Sequence, residues 1–205
     1  MTVEHRLERR IAERRRETAE TIVEVKIDLD GGGTADIVTG IGFLDHMLTH
    51  LAKHGGIDLT VRATGDLQVD EHHTVEDVAI VLGQALLEAV GGRRGIRRMG
   101  QSIMPMDESL VLVAVDFGGR GKAVIDLPFA TERLGGLPTE LIAHFLDSFA
   151  TEARINLHCR LLVAGNDHHR AEAAFKGLAR AISDALSPDP RRVGGLPSTK
   201  DYLEA

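Results

Sequence analysis

An internal repeat is the sequence feature that most constrains the fold of this chain. Residues 20–37, ETIVEVKIDLDGGGTADI, match residues 108–125, ESLVLVAVDFGGRGKAVI, without a gap. Both segments alternate apolar and variable residues up to a glycine-rich turn and then resume the alternation, which predicts a hairpin of two strands in each segment. The identical pairs are Glu20/Glu108, Val23/Val111, Val25/Val113, Asp28/Asp116, Gly31/Gly119, Gly33/Gly121, Ala35/Ala123 and Ile37/Ile125.

A second pair of similar blocks follows in the same order. The pentapeptide HHTVE at 72–76 matches HHRAE at 168–172. Apolar residues continue at helical spacing after each block, so each double histidine is predicted to begin an amphipathic helix. An apolar, strand-like run precedes each block, and a helix-like stretch precedes each run. These four segments are 57–63 and 155–163 for the strands, and 43–53 and 140–153 for the helices.

Two matched blocks in the same order indicate a tandem duplication. Each half is then a strand hairpin, a helix, a strand and a second helix. We predict an α+β fold with two mixed sheets, helices packed on one face of each sheet, and halves related by a pseudo-twofold axis. The basic N-terminal run is expected to be a solvated tail or a short helix. The predicted organisation is one domain with an N-terminal tail at 1–16, halves at 17–95 and 96–190, and a C-terminal tail at 191–205.

Composition argues against several classes of function. The 24 basic and 31 acidic residues give a net charge of −7, and the chain has no Trp and one Tyr, so nucleic-acid binding is not expected. No apolar run approaches the roughly 20 residues that a membrane-spanning helix needs, and the basic N-terminus lacks the apolar segment of a secretory signal. A single cysteine, Cys159, fits a reducing compartment. We therefore expect a cytoplasmic protein without a membrane partner.

The double histidines have the spacing of metal ligands. On a helix, His72 and Glu76 lie one turn apart on the same face, whereas His73 points about 100° around the helix. The corresponding residues of the second copy are His168, Glu172 and His169. Ligands that point in two directions predict two metal positions. Histidine and carboxylate ligands without thiolate fit Mn, Fe, Co or Zn.

Two further histidines complete the predicted ligand set. His46 and His144 each lie beside a Phe-Leu-Asp triplet in the equivalent helix of their halves. Pseudo-symmetry favours a partition between two ions, although the ligands of one ion can also come from neighbouring subunits. The first ion would take His46, His72, Glu76 and His169, and the second His73, His144, His168 and Glu172. The histidines interpreted as ordinary structural residues are His5, His50 and His158.

Six motifs occur in an order that resembles one known enzyme family. They are GFLDHM (42–47), DEHHTVED (70–77), MDES (106–109), AHFLDS (143–148), NDHHRAEAAFK (166–176) and PSTK (197–200). From about residue 18 to residue 203 the chain looks like imidazoleglycerol-phosphate dehydratase of histidine biosynthesis. The resemblance implies dehydration of imidazole glycerol phosphate to imidazole acetol phosphate with two Mn²⁺ ions per active site. It also implies a homo-oligomer of 24 subunits with active sites at subunit interfaces.

The resemblance also implies roles for individual residues. Its metal ligands fall on the same histidines and glutamates that spacing and the repeat had selected. The expected catalytic residues are Glu20, Glu76, Glu172 and Lys176, with Glu20 as the first choice of general acid and base. The expected substrate-binding residues are Glu20, His54, Arg98, Arg120, Lys176, Ser198 and Lys200. Those expected to contact the phosphate are Arg98, Arg120, Ser198 and Lys200. Two positions depart from the family pattern, Asp201 and His50, where glycine and glutamine are common.

The implied chemistry needs no redox cofactor. A substrate imidazole bound to two divalent ions is stabilised as imidazolate, which can expel the hydroxyl from the adjacent carbon and give a diazafulvene-like intermediate. Loss of a proton from the next carbon then gives an enol and finally the ketone. Two alternatives stay open at this point. One is a binuclear metallohydrolase of a phosphorylated substrate, and the other is a non-enzymatic, metal-assembled shell protein.

Overall fold

Residues 9–203, which the computed structural model describes, form two four-stranded sheets, a two-stranded ribbon and four helices. The first half contains β1 (Ile11–Glu17), β2 (Thr21–Asp28), β3 (Ala35–Val38), α1 (Gly42–Gly55), β4 (Asp58–Gly65) and α2 (His72–Val90). The second half contains β5 (Met99–Met106), β6 (Ser109–Asp116), β7 (Lys122–Asp126), the ribbon β8 (Arg133–Leu134) and β9 (Leu137–Pro138), α3 (Glu140–Glu152), β10 (Asn156–Val163) and α4 (Asp167–Leu186). None of these four helices has the length and apolar character that crossing a bilayer requires.

The two main sheets have the same strand order, β1-β2-β4-β3 and β5-β6-β10-β7. In each order the first three strands are antiparallel neighbours, and the last strand pairs in parallel with the third. Alternate residues of the central strands face the core, among them the buried Val23 and Val25 of β2 and Val111 and Val113 of β6. The shared topology confirms the predicted α+β fold of two duplicated halves.

The glycine-rich turn after β2 does not form the predicted hairpin. β4 lies between β2 and β3, and β10 lies between β6 and β7 in the second half. The turn instead wraps over the start of β4, where Asp58 accepts the backbone N–H groups of Gly32 at 2.9 Å and Thr34 at 2.8 Å. A Cβ on Gly31 would collide with the Asp58 side chain, so this crossing needs glycine. The hairpins of the two halves are β1–β2 and β5–β6.

The predicted N-terminal tail is wrong for residues 11–16, which belong to β1. β1 is an edge strand that pairs with β2 from Ile11 opposite Asp28 to Glu17 opposite Ile22. Its side chains are almost all exposed, so the sequence carries little of the alternation that marks a strand. Charged residues on an edge strand are ordinary, because they discourage pairing with other chains. Residues 1–8, which include His5, lie outside the described residues.

The helices of one half pack against the helices of the other half. α1 contacts α4 and α2 contacts α3, while α2 also covers β1 and β2 and α4 covers β5 and β6. All four helices share one apolar core, which includes the fully buried Phe145 and Phe175. A Cβ on Gly83 of α2 would come within 2.7 Å of the carbonyl oxygen of Phe149 on α3, so glycine lets these two backbones approach closely. This cross-half pairing decides which histidines meet.

Candidate metal centre

One cluster of possible ligands lies where α1 meets α4. Glu172 Oε1 of α4 lies 3.0 Å from His46 Nε2 of α1 and 2.9 Å from His168 Nε2 of α4. Asn166 caps α4 by accepting the backbone N–H of His168 at 2.9 Å. This cap fixes the start of the helix, so that His168 and Glu172 lie one turn apart on one face. We call His46, His168 and Glu172 the α1/α4 triad.

A second cluster lies where α2 meets α3. His144 Nε2 of α3 is 3.2 Å from Glu76 Oε1 of α2, and the rings of His144 and His72 have centroids 4.5 Å apart. Asp70 accepts the backbone N–H of His72 at 2.8 Å, as Asn166 does for His168 in the other half. We call His72, Glu76 and His144 the α2/α3 triad.

The predicted partition of the ligands between two ions is wrong. It placed His46 with His72 and Glu76 of its own half, whereas the structure places His46 with His168 and Glu172 of the other half. The cause is the packing of α1 against α4 and of α2 against α3. Each triad takes one histidine from the first helix of one half and a His-x-x-x-Glu pair from the second helix of the other.

The second histidine of each pair points away from the triads. His73 Nδ1 lies 3.1 Å from an oxygen of Asp66, and His169 Nδ1 lies 3.1 Å from an oxygen of Glu108. The hydrogen bond with Asp66 raises the pKa of His73. Backbone N–H groups, first that of Asn166, together with His169 lower the pKa of Glu108 to about 2. Neither acid is among the site residues predicted from the sequence, although the repeat aligns Glu108 with Glu20.

The donor sets of both triads fit divalent transition-metal ions. In each triad the candidate nitrogen and oxygen atoms all lie within 4.8 Å of one another. Two imidazoles and one carboxylate are ligands that Mn, Fe, Co and Zn accept. Three donors leave coordination positions open, so each triad can take further ligands from a substrate, from water or from another copy of the chain. His73 and His169 are the remaining predicted ligands.

Glu172 is the most strongly perturbed acid of the centre. Its side chain is 9% exposed, and Lys176, one turn further along α4, donates to Glu172 Oε2 at 2.6 Å. Burial alone would raise the pKa of Glu172, but hydrogen bonds from Lys176, His46 and His168 outweigh it and hold that pKa well below its usual range. Glu172 is therefore ionised at neutral pH.

Two more histidines extend the α1/α4 triad along α1. His50 Nε2 lies 3.3 Å from His46 Nε2 and 3.4 Å from Glu172 Oε2, so the structure places it beside the candidate ligands rather than in the ordinary structural role expected from the sequence. Burial lowers the pKa of His50 to about 4. His54 follows one turn later, and burial followed by the charge of Lys176 lowers its pKa. Both rings therefore favour the neutral form.

The four residues expected to bind phosphate lie around one cavity of about 160 Å³. Arg98, Arg120, Ser198 and Lys200 line it together with Gly118. The guanidinium of Arg98 donates to both carboxylate oxygens of Asp116, at 2.7 Å and 2.9 Å, and to the carbonyl of Pro197 at 2.7 Å. These bonds hold Arg98 in place and connect the C-terminal segment to the end of β6.

This cavity and the α4 histidines lie at opposite ends of β6. Asp116, the partner of Arg98, ends the strand, whereas Glu108, the partner of His169, immediately precedes its first residue, Ser109. The eight residues of β6 span about 23 Å at a rise of about 3.3 Å per residue. A small substrate therefore does not reach both the Arg98 cavity and His169 of the same chain.

Matching sheets and helices paired across the halves define this chain as a duplicated α+β protein, and the two triads are two of the four side-chain clusters in its described residues that could hold a metal ion. Comparison with known proteins then identifies its family. The family model described as imidazoleglycerol-phosphate dehydratase matches residues 39–182. The chain belongs to the imidazoleglycerol-phosphate dehydratase family.

Individual relatives agree with this family over nearly the whole chain. The imidazoleglycerol-phosphate dehydratase of Dehalococcoides mccartyi is 54% identical over 196 residues, which cover 96% of this chain and 98% of that protein. The enzyme of the same name from Chloroflexus aggregans is 57% identical over 188 residues, which cover 92% of each.

Solved structures of the same family share the fold. The Staphylococcus aureus imidazoleglycerol-phosphate dehydratase superposes with a TM-score of 0.79 at 36% identity, covering 87% of this chain and 99% of that chain. The Pyrococcus furiosus enzyme, solved in complex with (S)-C348, gives a TM-score of 0.80 at 38% identity, covering 93% and 100%. Dehydratases are hydro-lyases, and the chain is an enzyme of that class.

Proposed function

We propose that this chain catalyses the manganese-dependent dehydration of imidazole glycerol phosphate to imidazole acetol phosphate in histidine biosynthesis. The observation that carries the proposal is the pair of triads at equivalent helix ends, each with two imidazoles and one carboxylate within 4.8 Å. The names of the relatives supply the substrate, which has an imidazole ring with two nitrogens and a phosphate. A ring nitrogen is a suitable ligand for an ion held by such a triad.

We propose two Mn²⁺ ions per active site as the cofactors. When bound, such ions supply positive charge that favours the anionic form of the substrate ring. The α1/α4 triad would hold one ion and the α2/α3 triad another, with His73 and His169 as further ligands. Glu76 and Glu172 bring negative charge to the two positions, and Glu172 stays ionised far below neutral pH because of its hydrogen bonds.

Glu20 is the proposed general acid and base. Its carboxylate is 55% exposed in the turn between β1 and β2, and one oxygen lies 3.7 Å from His73 Nδ1. Dehydration breaks a C–O bond and a C–H bond on adjacent carbons, so one proton must reach the departing hydroxyl and another must leave the neighbouring carbon. An exposed carboxylate beside a candidate ligand is placed to carry such protons. Lys176, whose side chain is 13% exposed, is a further proposed catalytic residue and carries a positive charge.

The phosphate group would bind in the cavity of Arg98, Arg120, Ser198 and Lys200. Arg98 already has two of its donors turned to Asp116, whereas Arg120 and Lys200 have no ion pair within residues 9–203, so these two supply the positive charge for the phosphate. Because this cavity lies about 23 Å along β6 from the His169 end, we propose that the active site forms between copies of the chain. The proposed assembly is the homo-oligomer of 24 subunits that the family resemblance implies.

We also propose a cytoplasmic location. Cys159 is the single cysteine of the sequence and is buried in β10. Burial raises the pKa of its thiol to about 12, so the thiol stays protonated and unreactive near neutral pH. A lone buried thiol is compatible with a reducing compartment.

The decisive experiment adds imidazole glycerol phosphate to full-length protein loaded with Mn²⁺ and follows the enolic ketone after an alkaline quench. We expect product with manganese and none in excess chelator. Release of inorganic phosphate would instead favour a metallohydrolase. Full activity in excess chelator would contradict the metal-dependent mechanism.

A matched pair of variants tests the role of Glu20. Glu20→Gln is expected to lower kcat about 10²- to 10⁴-fold, the usual contribution of a positioned acid or base. Glu24→Gln, which removes the same charge from an exposed position paired with Arg15, is expected to leave kcat within about twofold. Equal kcat values of the two variants would contradict the proposed role of Glu20 as general acid and base.

A further inference from the structure

His73 and His169 are held in the same way by acids that the proposed mechanism does not use. Both carboxylate oxygens of Asp66 lie 3.1–3.2 Å from His73 Nδ1. Both carboxylate oxygens of Glu108 lie 3.1–3.2 Å from His169 Nδ1. In each case the carboxylate engages the nitrogen nearer the backbone, and Nε2 lies at the far end of the ring, where His169 Nε2 is 3.8 Å from the exposed Asp107.

The acid beside His169 is itself fixed to the start of α4. Glu108 Oε1 accepts the backbone N–H of Asn166 at 2.6 Å, and Asn166 is the residue that caps this helix. A Cβ on Gly165 would come within 2.5 Å of Glu108 Cγ, so glycine makes room for the acid beneath the helix start. Glu108, although its side chain is half exposed, is thus bonded both to the capping residue of α4 and to His169.

The two halves reach this geometry with acids from different elements. Asp66 follows β4, whereas Glu108 lies in the turn between β5 and β6. The repeat position of Glu108 is occupied in the first half by Glu20, whose nearest oxygen is 3.7 Å from His73 Nδ1. Asp66 supplies the carboxylate in place of Glu20. The same histidine–carboxylate pairing is therefore present twice although the repeat itself does not supply it.

A carboxylate on Nδ1 determines what the other ring nitrogen can do. When Nδ1–H donates to the acid, the neutral imidazole keeps its lone pair on Nε2, where it can ligate a metal, and the ring is held in one orientation. On the basis of the proposed function, we infer that Asp66 and Glu108 are positioning residues that orient His73 and His169 with Nε2 outward, as ligands for Mn²⁺ ions held by the triads of another copy of the chain.

The test measures Mn²⁺ affinity by isothermal titration calorimetry on full-length protein stripped of metal. Asp66→Asn and Glu108→Gln keep a hydrogen-bond acceptor but remove the charge, and each is expected to weaken Mn²⁺ binding about 10- to 100-fold. Asp126→Asn is the control, because Asp126 is an exposed acid at the end of β7 that pairs with Arg160 of the neighbouring strand β10. It is expected to leave the affinity within about twofold.

A double-variant cycle separates positioning from general attraction of the cation. If Asp66 acts through His73, then Asp66→Asn weakens binding in the wild-type background but adds no further loss to His73→Ala. An equal loss in both backgrounds, or an unchanged affinity of Asp66→Asn and Glu108→Gln, would overturn the inference. The Tm of each metal-free variant is expected within about 2 °C of wild type. A large fall in Tm in the variants that lose Mn²⁺ affinity would indicate a purely structural role and would also overturn the inference.

Dehydratase activity of the wild-type protein is measured in parallel. Protein that binds Mn²⁺ but forms no enolic ketone contradicts the proposed function, and the affinities of the variants still decide the inference. Protein that dehydrates its substrate while the variants bind Mn²⁺ as wild type does contradicts the inference alone.

Discussion

The α1/α4 and α2/α3 triads have the same kinds of ligand but different surroundings. In the α1/α4 triad, Glu172 is 9% exposed and bonded to Lys176, whereas Glu76 of the α2/α3 triad is 40% exposed. The repeat position of Lys176 is Ile80, so the second triad has no matching cation in its helix. Duplication has kept the ligands and changed the charge around them. The two metal positions are therefore expected to differ in affinity and in role.

The largest expected effect is the loss of either triad. His72→Ala and His168→Ala each remove one ligand, and each is expected to lower kcat/KM by about 10³-fold or more, because a metal ion supplies several kcal/mol of charge stabilisation. Steady-state kinetics in saturating Mn²⁺ measures this. His158→Ala, on the exposed side of β10, is the control. Near-wild-type activity in one of the two triad variants would show that only the other triad is needed.

The cation of the α1/α4 triad gives the next largest effect. Lys176→Met is expected to lower kcat about 10²-fold, because a proposed catalytic charge is lost. The same change is expected to strengthen Mn²⁺ binding at one of the two positions about tenfold, since Glu172 no longer has to share its charge with Lys176. Calorimetry of the metal-free protein resolves the two positions. Weaker binding at both would contradict the view that Lys176 opposes the ion.

The metal-free protein should also distinguish the two glutamates. Glu172→Gln is expected to lower the free energy of unfolding by about 1–3 kcal/mol at pH 7, because it leaves the half-buried Lys176 without its charged partner. Glu76→Gln, at a more exposed position, is expected to cost less than about 1 kcal/mol. Urea unfolding of both variants measures the difference.

The effect at Glu172 has a defined pH dependence. The folded protein holds the pKa of Glu172 below its ordinary value of 4.5, so the carboxylate contributes stability above that value and loses it as the pH falls through the folded-state pKa. The gap between wild type and Glu172→Gln should therefore shrink below about pH 4.5. If the difference in the free energy of unfolding grew on acidification, the pKa of Glu172 would not be lowered in the folded protein.

A further effect on stability alone concerns the helix pairs that carry the triads. Gly83→Ala is expected to destabilise the protein by about 1–3 kcal/mol, because its Cβ would meet the Phe149 carbonyl of α3, even though alanine is the better helix former. The repeat position of Gly83 is Ala179 in the α1/α4 pair, where alanine is accommodated. Thermal unfolding measures the change. A stabilised Gly83→Ala would show that the two helix pairs are packed alike.

Local patterns were enough to predict much of the fold and the triad pairs. The alternation around Val23 and Val111 predicted strands, and the apolar spacing after the double histidines predicted α2 and α4. Because helical spacing is a local property, it also placed His72 beside Glu76 on one face. Asp70 and Asn166, just ahead of the histidines, fix the helix starts on which this spacing depends.

Contacts between distant segments could not be predicted in the same way. The partner of His46 depends on α1 packing against α4, and no pattern within α1 records this. The sequences of β2 and β3, on either side of the glycine-rich turn, do not indicate that β4 lies between these strands. The hydrogen bond from Thr34 to Asp58, which fixes this arrangement, joins residues separated by the whole of α1. Asp66 and Glu108 were missed for a similar reason, because their role depends on contacts with His73 and His169 that only the folded structure reveals.

The pairing of helices across the halves bears on how such a molecule could have arisen. In each half, the first helix supplies one histidine to one triad, and the second helix supplies its His-x-x-x-Glu pair to the other triad. A half-length ancestor would have needed to pair with a second copy before it could assemble such a triad, and would then have formed two identical triads. The two copies in this chain differ in detail: Glu20 lies 3.7 Å from His73 Nδ1, whereas Glu108 lies 3.1 Å from His169 Nδ1.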